Sequence, residues 1–179
     1  MKILLYTLIL LSGLSGFTQR FKTSESYIKF YSDAPMEDIE AINKSATSIV
    51  DLTSKAIVIV IPIKSFDFKK ELMQEHFNEN YLESDKYPNA TFKGKITDWD
   101  ESEGVSKATA KGTLEIHGVT REVTIEGDIE KSKKSLNLST VFNIRLEDYK
   151  VKIPKAVFYK IAEEVEVTAN FDYAPYEKD

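Results

Sequence analysis

The chain of 179 residues contains no cysteine. Disulfides, thiolate metal sites, cysteine nucleophiles and a lipidated N-terminal cysteine are all excluded, so the fold must stand on its apolar core. A basic excess is missing too. The formal net charge is −5, and lysines alternate with acids along most of the chain. No nucleic-acid partner is expected, because phosphate binding needs a clustered basic face that releases counterions. Histidine is scarce, with only His76 and His117, and neither falls in the His-Glu-x-x-His spacing of a zinc helix. Gly-x-Ser-x-Gly, phosphate-loop and dinucleotide fingerprints are also lacking. No metal or other cofactor is expected. Carboxylates are plentiful, but Glu163, Glu164 and Glu166 fall at the start and on the wet face of a strand. Acid–base work needs a buried pair with split pKa values, which this spacing does not suggest. The absences point away from an enzyme.

What is present begins with residues 1–18. Lys2 supplies a positive charge, Ile3 to Leu11 is an apolar run, and Ser12 to Thr18 turns small and polar. That is the plan of a secretory signal peptide, expected to be cut between Thr18 and Gln19. The run is shorter than the ~20 residues of a spanning helix, so no stable membrane anchor is expected. Residues 19–179 then form one exported domain.

From Tyr27 onward the dominant signal has period two. Val165, Val167, Ala169, Phe171 and Tyr173 share one face, against Glu164, Glu166, Thr168, Asn170 and Asp172 on the other. One dry and one wet face is the mark of an antiparallel strand. Eight such segments are expected, at 27–32, 45–53, 56–63, 89–99, 106–117, 119–131, 135–146 and 163–173. Polar loops and the His117-Gly118 turn join them as a meander. Left flat, eight long strands would expose two edges; closing the sheet into a barrel removes them.

The expected inward faces carry Phe92, Ile96, Leu114, Ile116, Val123, Ile125, Leu138, Phe142, Ile144, Val165, Val167 and Phe171, with Ala108, Ala110, Gly112 and Ala169 among them. Asp67 to Tyr81 places Phe68, Leu72, Met73, His76, Phe77 and Tyr81 at spacings of three and four, which predicts an amphipathic helix. Inserted between strands 3 and 4, it would lie across one barrel mouth, with Leu72, Met73 and Phe77 as a lid. His76 reads as a packed imidazole at the rim of that face, and His117 as a turn residue capping backbone groups. A second short helix is expected at 155–160, opened by Pro154. An eight-stranded barrel either fills itself with side chains or holds one small ligand. Alternation alone leaves both open.

Two motifs add to this. The segment ELMQEHFNENYLESDKYPNATFKGKI (71–96) is followed by KGTLEIHGVTREVTIEGDI (111–129). Leu114, His117, Gly118, Val119 and Thr120 form a leucine–x–x–His-Gly-Val-Thr run, and Tyr87, Pro88 and Phe92 a Tyr-Pro-x-x-x-Phe segment. In these features the chain resembles the YceI-like family of bacterial lipocalin-like proteins. The resemblance implies an all-β, eight-stranded antiparallel lipocalin-like barrel carrying a long apolar ligand, a polyisoprenoid or other lipid, in the periplasm. Two features depart from the family: Ile39 to Leu52 lacks its usual histidine and Val-x-Gly-x-Phe stretch, and Arg145 to Tyr149 lacks a glycine. The other readings are a ligandless stress or interaction protein with a filled barrel, and a lumen enzyme using His117 or a buried Asp148 with Arg145. A homodimer is compatible with the sequence.

Overall fold

The computed structural model describes residues 20–33, 38–153 and 161–176. Ten strands form one antiparallel sheet: β1 (Arg20–Ser32), β2 (Ile39–Asn43), β3 (Thr47–Asp51), β4 (Ala56–Pro62), β5 (Phe66–Phe68), β6 (Asn89–Thr97), β7 (Gly104–Ile116), β8 (Val119–Lys131), β9 (Leu136–Arg145) and β10 (Glu164–Pro175). Pairing of β10 with β1 closes the sheet.

The ten strands make an eight-stranded barrel because two staves are broken. β1 pairs with β3 through Arg20↔Asp51 and with β2 through Ile28↔Asn43 in one continuous register. β2 and β3 are thus one stave, and β4 and β5, which pair with β3 and β2 respectively, are the next. Side chains bridge the first break. Thr23 Oγ1 accepts from Ser48 N at 2.6 Å and donates to Ser48 O at 3.0 Å. Asn43, fully buried, donates through Nδ2 to Pro62 O at 2.8 Å and accepts from Ser45 N at 2.8 Å. A buried amide with donor and acceptor both satisfied costs the fold little.

The all-β barrel with one short helix between its third and fourth staves is as the sequence predicts. Some boundaries differ. β1 begins at Arg20, seven residues earlier than its alternation suggested, and the second stave begins at Ile39 rather than at 45. The helix is shorter than Asp67 to Tyr81. Phe66–Phe68 is strand, α1 spans Glu71–His76, and Phe77–Tyr81 continues as a π-helical turn. The second helix expected at 155–160 and the leader at 1–18 lie outside the described residues.

Between β7 and β8 the chain turns in two residues, His117 at φ 51° and Gly118 at φ 69°, between the paired Ile116 and Val119. Positive φ at both positions is the hairpin turn whose twist matches that of the strands, and Gly118 takes it without steric cost.

Candidate functional site: a lumen filled at one end and hollow at the other

Inward side chains of the barrel fall into two halves. At the end away from α1, Ile57, Phe92, Ile96, Ile129, Leu136 and Phe171 are each at most 4% exposed. Toward α1 the inward residues Phe30, Ile61, Phe77, Ile116, Phe142 and Ile144 are only half-buried, because they face an internal cavity of about 450 Å³. That volume lies within the ~300–1,000 Å³ typical of ligand pockets.

The filled half follows from a glycine pair. Gly94 on β6 stands directly opposite Gly112 on β7. A Cβ built on Gly94 would lie 2.5 Å from Lys111 O and 2.7 Å from Cζ of Phe92; one on Gly112 would lie 2.5 Å from Gly94 Cα. The missing side chains let the Phe92 ring pack over the strand and plug the lumen there.

The hollow half is capped by aromatics. Phe77, in the turn after α1, stacks on Phe30 at 5.5 Å between ring centroids with an 18° interplanar angle. It also meets Phe66 at 5.6 Å and Phe68 at 4.9 Å. Such contacts contribute about 0.5–1.5 kcal/mol per pair beyond area burial. Met73 and Leu72 line the same cavity, Leu72 at its rim and 61% exposed. Lys70 and His76 stand at that rim as polar residues. On β1, two residues beyond Phe30, Ser32 is buried, and its hydroxyl accepts from Ala162 N at 2.9 Å. Burial, aided by the neighbouring Asp148 charge, pushes the Tyr149 phenol above its ordinary pKa; burial does the same to Tyr81. Both hydroxyls are therefore neutral at ordinary pH. Among the described residues the walls offer apolar surface and no charge in the interior.

Of the residues expected to line the lumen, Leu114, Ile116, Phe142, Ile144, Val165 and Val167 line this cavity, as do the lid residues Leu72, Met73 and Phe77. Phe92, Ile96, Ile125, Leu138 and Phe171 do not. They surround a second, much smaller cavity of about 80 Å³ in the filled half. Val123 packs against the core but lines neither space. β8 holds its β7 pairing throughout but leaves β9 beyond Asp128↔Ser139, and Val123 sits on that unpaired stretch. The lumen residues Phe30, Phe66 and Phe68 escaped sequence reasoning: Phe30 lay in an expected strand that showed no clear face, and Phe68 was absorbed into the helix.

His117 is a clamp. Its Nε2 lies 2.6 Å from Glu83 Oε2, its Nδ1 3.3 Å from Tyr149 O, and the Tyr87 ring meets it edge-on at 4.7 Å. Gly118 lies so close to Tyr87 that any Cβ would run into that ring. The two sequence motifs therefore touch, and together they tie the segment after α1 to the β7–β8 turn. Asp148, which the lumen-enzyme reading would need buried, is exposed, as is Arg145; the Asp148 carbonyl accepts from Arg121 Nε at 2.9 Å. No three His, Asp or Glu side chains among the described residues are grouped to hold a metal ion.

Comparison with known proteins agrees with this architecture. The model of the YceI-like domain matches residues 12–173. The chain belongs to the YceI-like family. No curated protein sequence matches it significantly. Among solved structures it is similar to a polyisoprenoid-binding domain from Saccharophagus degradans implicated in plant cell wall breakdown (TM-score 0.76, 15% identity, 87% of this chain and 98% of that one). It is also similar to BcnA of Burkholderia cenocepacia (TM-score 0.69, 20% identity, 82% and 95%), and to a Campylobacter jejuni YceI protein (TM-score 0.60, 19% identity, 98% and 100%). At these identities the likeness is one of fold.

Proposed function

We propose that this YceI-like protein is a non-enzymatic carrier of an apolar ligand, a polyisoprenoid or other lipid, held in the hollow half of its barrel. The observation that carries this reading is the cavity of about 450 Å³ walled almost wholly by apolar side chains. A lumen meant only as core would be packed to the density of the other half. Each methylene moved from water into such a site gains about 0.8 kcal/mol, so a long tail binds without polar recognition. The polyisoprenoid-binding domain among the structural neighbours supports the same ligand class. The clamp around His117, with both ring nitrogens engaged by structural partners, supports binding over catalysis.

Residues 1–18 act, in this reading, as a signal peptide that delivers the carrier to the periplasm, and the mature chain begins at Gln19. N-terminal sequencing of the exported protein checks that start. Binding itself is tested by titration with the apolar fluorophore N-phenylnaphthylamine, whose emission rises on entering an apolar site. Ile144→Trp, whose larger ring intrudes into the cavity, should weaken the response. An unchanged response would place the probe elsewhere and remove the support for the lumen.

A second reading, a ligandless interaction protein, draws on the filled half of the barrel. A wholly solid lumen would favour it; the cavity beside α1 does not.

A further inference from the structure

Five side chains, Ile28, Ile61, Leu114, Phe142 and Val167, line both cavities at once. They form a floor across the middle of the lumen. Below it, Ile57, Phe92, Ile96, Ile129 and Phe171 leave only about 80 Å³ of space. An apolar tail entering from the α1 end therefore meets a stop halfway down the barrel.

We propose that this floor is a ruler, and that the protein selects a single-chain amphiphile with a tail of about 18 carbons. The length follows from volume. A dry cavity of about 150 Å³ accommodates benzene, about 25 Å³ per carbon, so a cavity three times larger accommodates about 18 carbons. A tail twice that long leaves half its methylenes outside. The inference rests on the carrier reading above and adds to it which tails are held. Polar residues at the cavity's outer end, Lys70 and His76, stand where the head group of such a ligand would emerge.

The test uses delipidated mature protein incubated with phosphatidylcholine vesicles doped with equal amounts of dodecanol, hexadecanol, octadecanol, docosanol and hexacosanol. Protein is then separated from vesicles, and the retained alcohols are measured by mass spectrometry. Because the vesicle is itself apolar, methylenes inside the cavity transfer at little cost, whereas each one left in water lowers retention about fourfold. Retention should be level up to octadecanol and fall steeply beyond it. Phe142→Ala, which opens the floor to the lower cavity, should move the break to longer chains by at least about three carbons. Val167→Phe, which raises the floor, should move it to shorter ones; thermal melts confirm that both variants are folded, and either one alone suffices.

Hexacosanol retained as well as octadecanol, or a break that neither folded variant moves, overturns the ruler and leaves the carrier standing. Failure to retain any of the alcohols overturns the carrier reading and the ruler together.

Discussion

His117 Nε2 and Glu83 Oε2 lie 2.6 Å apart, joining the turn between β7 and β8 to the segment that follows the lid. The bond connects residues 34 apart in sequence, and the His117 side chain is only 12% exposed. Hydrogen bonds to charged groups contribute about 1.5–3 kcal/mol, and removing the imidazole also releases Tyr149 O and the Tyr87 ring. His117→Ala should therefore lower stability by about 2 kcal/mol, read as the shift in urea midpoint. Glu83→Gln, which keeps a hydrogen-bonding oxygen, should cost less. Equal stability of His117→Ala and the wild type would show that the clamp is idle.

The two halves of the lumen should respond differently to truncation. Phe171, 1% exposed among close-packed neighbours, leaves an unfilled void when shortened, and Phe171→Ala should cost about 3–5 kcal/mol. Ile144 already faces empty space, and Ile144→Ala should cost about 1 kcal/mol, below the usual range for a packed isoleucine. Denaturant unfolding of the two variants side by side measures the contrast, and similar losses would mean that the cavity wall is as tightly packed as the filled end.

The facing glycines of β6 and β7 should not tolerate a methyl group. Gly112→Ala pushes a Cβ into the Lys93 carbonyl and to 2.5 Å from Gly94 Cα, and only backbone movement relieves it. A loss of about 3 kcal/mol, or failure to fold, is expected. Gly104→Ala makes a useful contrast: a Cβ there meets nothing within 4 Å, and only its φ of +116° opposes the change. Soluble yield and melting temperature report both.

Asp51 carries a pH dependence whose sign is fixed. Amide donation from Ser54 is the largest cause, with Arg20 Nε at 2.9 Å next, and together with Thr53 they lower its carboxyl pKa to about 2 from an ordinary 3.8. A depressed acid pKa adds stability that is fully present above the unfolded value and is lost as pH falls through the folded one. Asp51→Asn should therefore be less stable than wild type at pH 6, with the gap closing as pH falls from about 4 to about 2. A gap that does not change across that window would exclude the carboxylate charge as its origin.

Legibility of the fold in the sequence varied with how apolar the inward face is. In Glu164–Pro175 every inward residue from Val165 to Tyr173 is apolar and buried, so the strand reads directly. In the second stave Thr47–Asp51 lies within the expected 45–53, but Ile39–Asn43 hides, because Ala41 and the buried amide Asn43 do not read as a hydrophobic face, and Ser48 interrupts that face as well. Tyr173 shows why Ser48 is there: its hydroxyl donates to Ser48 Oγ at 2.9 Å inside the core. Phe68 was misplaced because its spacing of four to Leu72 imitates a helix, although Phe66–Phe68 pairs with β2. The β-branched run Ile57 to Ile63 is apolar at successive positions and shows no alternation from which a face can be read; the structure turns Ile57, Ile59 and Ile61 inward and leaves Val58 40% exposed.

The site was half legible for a different reason. Period two tells which side chains point into a barrel, and eleven of the twelve expected lumen residues line one or other cavity. It does not tell how far each side chain reaches across the lumen. That depends on partners distant in sequence, such as Gly94 and Gly112 making room for Phe92, so the division into filled and hollow halves emerges only once the staves are registered.

The most direct measurement of the central claim is the content of the lumen itself. Mature protein purified from its own host without detergent, washed and extracted with organic solvent, should yield about one equivalent of a long-tailed apolar molecule by mass spectrometry, and Ile144→Trp should yield much less. Repeated extracts of folded protein that contain no such molecule would contradict the account.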